Sequence, residues 1–175
     1  MLLKRINIIA VVVFSAVISF TSCSKDDGAI PERVSIQDVP AVSINFETGN
    51  TADTIAISNP AAFQGKFKVS LFFAGANPPT KVDVMVRKNG SLANVKLFKA
   101  SITSLPASFT ITAAELQTLY GTAVVLKDTY DFALDIYLGD TKYEAWPASG
   151  ATGSGQGVVG MSSVGFGAQV RYTVK

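Results

Sequence analysis

Apolar and polar residues alternate with a period of two over most of the chain beyond residue 34. In residues 66–73, Phe67, Val69, Leu71 and Phe73 share one face while Lys66, Lys68 and Ser70 share the other. Val82, Val84 and Val86 alternate in the same way with Lys81, Asp83 and Arg87. A strand points successive side chains to opposite faces, so these runs predict half-buried antiparallel strands. The clearest run is Tyr130, Phe132, Leu134, Ile136 and Leu138, opposite Asp131, Ala133, Asp135 and Tyr137. It predicts one core face and one wet face. Further strands are expected near 34–46, 53–58, 93–99, 108–112, 141–147 and 168–174. Asn89-Gly90 and Gly139-Asp140 accept the positive φ angles of tight hairpins and predict one at each place. Eight or nine short strands with frequent turns predict an all-β fold, a sandwich of two sheets.

One short crossover helix is expected after residue 112. Thr112-Ala113-Ala114-Glu115 has the spacing of a capping box, precedes Leu116, Leu119 and Tyr120, and is followed by Gly121 as a stop. Asp128-Thr129-Tyr130 then opens the strongest strand. Here residues 60–147 resemble immunoglobulin-like domains, in which a tyrosine at the start of a late strand hydrogen-bonds back across a corner. The resemblance implies an immunoglobulin-like antiparallel β-sandwich of the wider fibronectin type III kind, since the cysteine pair and central tryptophan of antibody domains are absent. Residues 149–167 carry seven glycines and predict a mobile tract without regular helix.

The first 22 residues follow a different pattern. A basic start at Lys4 and Arg5, an apolar run from Ile6 to Phe20 and small residues before Cys23 make up a secretory signal. A bilayer-spanning helix needs about 20 predominantly apolar residues; this run holds 15 and is interrupted by Asn7, Ser15 and Ser19. Phe20-Thr21-Ser22-Cys23 resembles the lipobox of bacterial lipoproteins, with Phe20 where that motif usually has Leu. The resemblance implies cleavage before Cys23, diacylation of its thiol and acylation of the new N-terminus. Cys23 is the only cysteine, so lipidation also accounts for an exported thiol with no disulfide partner. Ser24-Lys25-Asp26-Asp27-Gly28 is similar to the short export signal of Bacteroidota surface lipoproteins. The domain reading is therefore a signal peptide over 1–22, a lipidated cysteine and flexible tether over 23–33, and a single sandwich over 34–175.

Charge and composition narrow the chemistry. Without Lys4 and Arg5 the mature chain has 13 basic and 13 acidic residues, and no basic block that would suit a nucleic-acid partner. Histidine is absent, which removes Ser-His-Asp and Cys-His catalysis and the histidine ligands of most catalytic zinc sites. Carboxylate chemistry remains. Asp131 and Asp135 lie on one strand with Cα atoms about 13 Å apart, too far for a glycosidase pair. Asp135 and Glu144 on neighbouring strands could come closer, but carboxylates on a sheet's wet face read as solvated surface. No enzyme, cofactor or metal is expected. Gly155-Gln156-Gly157-Val158-Val159-Gly160 spells a dinucleotide fingerprint, yet no helical pattern follows it to receive a pyrophosphate.

Aromatic residues are the remaining candidates, because flat rings stack on the C–H faces of sugars. Trp146, with Tyr143 and Glu144 before it on an expected strand, abuts Pro147 and the glycine-rich tract and forms the candidate ligand site. Trp146 as a core residue or as a cap on the sandwich edge is the alternative. Tyr137 and Phe72, on outer faces, could be covered by the C-terminal segment. The chain as a whole resembles the small β-sandwich lipoproteins of the Bacteroidota, some of which accompany SusC/SusD-type nutrient-uptake systems. That resemblance implies a surface-displayed outer-membrane protein, held to the membrane by its lipid, that binds a glycan or a partner protein without catalysis. A structural or adhesive accessory subunit of an envelope complex is the alternative.

Overall fold

The alternating runs form strands because each gains a buried face. In the computed structural model, which describes residues 39–47, 53–147, 157–160 and 166–175, nine strands and one α-helix belong to a compact unit, Asp38–Lys175. The strands are β1 (Val42–Phe46), β2 (Thr54–Ile55), β3 (Gln64–Leu71), β4 (Lys81–Lys88), β5 (Val95–Ile102), β6 (Ala107–Thr112), β7 (Thr129–Leu138), β8 (Thr141–Tyr143) and β9 (Gln169–Val174), and helix α1 is Ala113–Tyr120. One sheet has the order β1-β3-β6; the other has β2-β9-β7-β4-β5, with β8 also on β7. This is the all-β sandwich of two sheets that was expected. One pair departs from the antiparallel rule: β2 runs parallel to β9.

The core lies between the sheets and is aromatic at its centre. Phe132 of β7 meets Phe67 of β3, Phe98 of β5 and Tyr172 of β9 at ring-centre distances of 5.2, 5.4 and 5.8 Å. Tyr172 is fully buried and also packs edge-on against Phe63 at 5.2 Å. Room for its ring comes from Gly65, a core-facing position of β3 where a Cβ would collide with both Tyr172 and Phe63. The wider aromatic ring thus replaces a side chain on the opposite sheet.

Local signals act where expected. Thr112 and Glu115 form a complete capping box, with Glu115 N to Thr112 Oγ1 at 3.2 Å and Thr112 N to Glu115 Oε2 at 2.9 Å. Gly121 ends the helix at φ 68°. Gly139, at φ 59°, closes the two-residue hairpin between β7 and β8, where Leu138 pairs with Thr141. Asn89 and Gly90 both take positive φ in a turn closed by Ser91 N to Lys88 O. That turn does not join β4 to β5 by itself; a 3-10 turn at Leu92–Asn94 follows before β5 starts.

Other expectations need correction. β1 begins at Val42, residues 39–41 are not strand, and residues 34–38 lie outside the described residues. β2 holds only Thr54–Ile55 of the expected 53–58. β8 stops at Tyr143, so Trp146 is not on a strand. The Tyr130 hydroxyl does not reach backbone; it donates to the Asp128 carboxylate at 3.3 Å, while Tyr120 of α1 supplies the backbone ties, to Val86 O and Asn94 O at 3.0 Å each. Of the glycine-rich tract, residues 149–156 and 161–165 lie outside the described residues, as do Cys23 and the signal and tether. Among the described residues no helix is long and apolar enough to cross a membrane.

Truncating the central ring, Phe132→Ala, should cost about 3–5 kcal/mol through lost burial and cavity formation. Phe73→Ala, at a 63 % exposed ring, should stay within about 0.5 kcal/mol. Urea unfolding of both variants checks this, and equal losses would contradict the assigned core.

Candidate functional site

The outward row of β7 was expected to be wet, and it is buried. Asp131, Ala133 and Asp135 are 0, 0 and 3 % exposed. They are covered because the chain after β8 turns back over the outer face of the sheet instead of extending it. Ala145 N donates to Asp135 Oδ1 at 2.7 Å. Val158 N donates to Glu144 O at 2.9 Å, which brings the 3-10 turn Val158–Gly160 against residues 144–145. Gly157 allows this approach, since a Cβ there would collide with the carbonyl oxygens of Glu144 and Ala145 and with Pro147. The first and second letters of the dinucleotide fingerprint, Gly155 and Gln156, are outside the described residues; its end is this 3-10 turn.

Carboxylates under such a cover must be paired, because leaving a charge buried alone costs several kcal/mol. Asp131 lies in register with Arg87 of β4 and Arg171 of β9. Arg87 Nη2 donates to Oδ2 at 3.0 Å; Arg171 donates Nε to Oδ1 at 2.5 Å and Nη2 to Oδ2 at 3.1 Å. Asp131 in turn raises the Arg171 pKa further. Asp83 and Asp135 face each other across β4 and β7, an arrangement of like charges that would be unfavourable if unpartnered. Each carboxylate has its own donors. Asp83 Oδ1 accepts from Ser101 N at 2.6 Å, in a bulge where Ser101 takes φ 55°, and it holds the Tyr137 hydroxyl, which adds to burial in raising the tyrosine pKa. Asp135 takes the Lys142 ammonium at 2.9 Å. Burial pulls the Lys142 pKa down, but Asp135 and Glu144 more than offset it and hold the pKa above the usual value. These partners account for the burial of Asp131 and Asp135, and Lys142 stands between Asp135 and Glu144, at 3.1 Å from the latter.

Trp146, Tyr143 and Glu144 fall on this cover. Trp146 is half-buried, and the Arg87 guanidinium sits 4.6 Å from its ring centre, a cation–π contact layered on the Arg87–Asp131 pair. The indole Nε1 and Arg87 Nε are buried without a hydrogen-bond partner among the described residues. Tyr143 is half-buried and leans on the core; Glu144 is exposed. The three do not converge as one triad: Tyr143 turns toward the core while Trp146 rides on Arg87. Sequence reasoning missed Arg87 and Arg171. Their signal was complementary charge at outward positions of three strands. Tyr137 is half-buried under Lys81, whose Nζ lies 4.1 Å from the ring centre, and Phe72 packs on Phe166 of the C-terminal segment at 5.4 Å.

A fourth buried carboxylate organises the opposite end. Asp128, 4 % exposed, accepts from Asn89 Nδ2 at 2.8 Å, from Val125 N at 3.1 Å and from Lys88 Nζ at 2.9 Å. It thereby fixes the turn 125–128, where Lys127 takes φ 73° and donates its N–H to Val174 O. Three residues of this turn are exposed: Lys127 and the apolar Val125 and Leu126, the latter two 54 and 57 % exposed. Among the described residues no cluster of three or more potential ligands could hold a metal ion. No family model, curated protein or solved structure matches the chain.

Burial pushes the Asp128 carboxyl up, but Lys88, Asn89 and the Val125 N–H more than offset it and hold it below its ordinary value. A lowered native pKa contributes stability above the unfolded value of about 3.9, and that share is lost as pH falls through the native value. Resistance to urea should therefore decline from about pH 4 downward. Asp128→Asn should cost about 1–3 kcal/mol at neutral pH and show a shallower acid limb. Parallel acid limbs for the two proteins would refute the assignment.

Proposed function

We propose that this chain is a non-catalytic, lipid-anchored binding module of the bacterial outer membrane, displayed at the cell surface, whose ligand is a glycan or a partner protein. The observation that carries the reading is the Trp146 ring, half-buried and fixed against the Arg87 guanidinium on a rigid sheet. A ring held in this way offers a flat apolar face at little entropic cost on binding, beside the polar groups of Glu144 and Arg171 that can orient hydroxyls. The full pairing of Asp131 and Asp135 supports binding over carboxylate catalysis. The anchor at Cys23 rests on the signal-like N-terminus and the lone cysteine.

On a glycan array the mature protein should bind a defined subset of polysaccharides, and Trp146→Ala should weaken that binding by at least tenfold with the melting curve still cooperative. Unchanged binding in the variant would remove Trp146 from the site.

The accessory-subunit reading has its own support in the Val125–Leu126 tip. Each of these side chains would gain roughly 1.5–3 kcal/mol if fully buried, and the turn that presents them is already rigid. Crosslinking on intact cells separates the two readings. A stoichiometric protein partner lost on Leu126→Ser favours the accessory subunit, and its absence favours the glycan module.

A further inference from the structure

We infer that the end of the sandwich where the chain arrives at Val39 rests on the lipid bilayer through Phe73, with Leu138 beside it; this rests on the lipid-anchor reading above. Phe73 is 63 % exposed, the most exposed large apolar side chain among the described residues. It is nonetheless held firmly. Its ring meets Phe72 edge-on at 4.9 Å, and Phe72 meets Phe166 at 5.4 Å. The carbonyl of Phe73 accepts from Ala76 N at 3.0 Å, which closes a turn, and Phe72 N donates to Ala41 O at 2.8 Å. That last bond ties the Phe73 loop to the residues through which the N-terminal segment joins the sandwich.

The neighbouring hairpin belongs to the same end. Thr80 N donates to Tyr137 O and Gly139 N donates to Thr80 Oγ1, both at 2.8 Å, which joins the loop after Phe73 to the hairpin carrying Leu138, 40 % exposed. Next to it Lys81, Tyr137 and Lys142 are register partners across β4, β7 and β8. Tyr137 with Lys81 over its ring, at the same end as exposed Phe73 and Leu138, is the composition of a membrane interface, where rings sit at headgroup depth and an ammonium group reaches the phosphates; Lys142 is held by Asp135 and Glu144.

Chain connectivity selects the bilayer as the occupant. Fifteen residues, 24–38, separate Cys23 from Val39. A flexible chain of that length averages about 20 Å end to end, and no chain of that length exceeds about 54 Å. The other apolar end, with Ile57, Val125 and Leu126, lies roughly 33 Å further on, the length of the ten-residue β7. An anchored domain therefore meets its own membrane with the Phe73 end first. A short tether gives that contact an effective concentration on the order of millimolar, so a weak insertion by one or two side chains is enough to populate it.

The test uses the full chain, matured in cells, purified and reconstituted in phosphatidylethanolamine–phosphatidylglycerol vesicles with brominated acyl chains. Phe73→Trp and Leu126→Trp are each made in a Trp146→Phe background, and mass spectrometry reports acylation of Cys23. Lipid quenching should be several-fold stronger for Phe73→Trp than for Leu126→Trp. Hydrogen exchange of the otherwise unsubstituted protein should slow at residues 73–77 on vesicles. Acylated protein with no quenching at Phe73→Trp, or with quenching at Leu126→Trp instead, overturns the contact and leaves the anchor standing. Protection at 73–77 that persists without lipid and grows with protein concentration assigns the surface to a second copy and overturns it too. An unacylated Cys23 overturns the anchor, and the contact with it.

Discussion

The arrangement of this sandwich depends on one buried carboxylate and the two guanidinium groups in register with it. Arg87, Asp131 and Arg171 stand side by side on β4, β7 and β9, the three strands that form the middle of the larger sheet. Strand side chains alternate, so a slip of one residue in β7 would drive Asp131 into the aromatic core and bring Phe132 out beneath Trp146. A buried ion pair adds little net stability, because desolvation offsets most of the attraction, but the penalty for separating its members is large. The triad therefore acts as a register lock. The four buried residues on the inner face of β7, Tyr130, Phe132, Leu134 and Ile136, favour burial in general; Asp131 selects which alignment buries them.

That lock also makes the outer face hospitable to a third layer. With Asp131 neutralised by Arg87 and Arg171, and Asp135 by Lys142 and the Ala145 N–H, the row between them carries only Ala133. A small residue at that point lets residues 144–147 and the turn Val158–Gly160 lie close to the sheet, and Gly157 removes the last collision. Trp146 can then rest on the far side of Arg87. Its position is thus a consequence of charge pairing two layers below it, and the ring is as rigid as the ion pair that supports it.

Strands, the capping box and the Gly139 hairpin were legible in the sequence because each is specified by neighbours along the chain. The alternation of Phe67, Val69 and Leu71 needs no knowledge of what covers it, and Thr112 finds Glu115 three residues away. The burial of Asp131 and Asp135 was not legible, since charged residues opposite an apolar row read as a solvated face. What covers them arrives from residues 144–147 and 157–160, whose small side chains and glycines look like loop. The same segment ended β8 at Tyr143, because Ala145 gives its N–H to a side chain, Asp135, rather than to a strand. Gly65 was equally silent: a glycine at a core position has meaning only once Tyr172, more than a hundred residues later, fills the space. For the candidate site, Trp146 was visible as a lone tryptophan beside a proline, whereas Arg87 beneath it required the cross-strand register.

Pairing of the buried acids bears on function through what it leaves at the surface. Asp83, Asp128, Asp131 and Asp135 each have fixed donors, so the carboxylates nearest the rigid centre of the molecule are occupied in holding strands, a bulge and a turn in place. The groups left to meet a partner are of another kind: the Trp146 ring on the sheet, Val125 and Leu126 on one end, Phe73 and Leu138 on the other. Each is presented on backbone already fixed by those acids or by aromatic stacking, so ordering it on contact costs little further entropy. The interior charges thus set the rigidity of the backbone from which these apolar groups project.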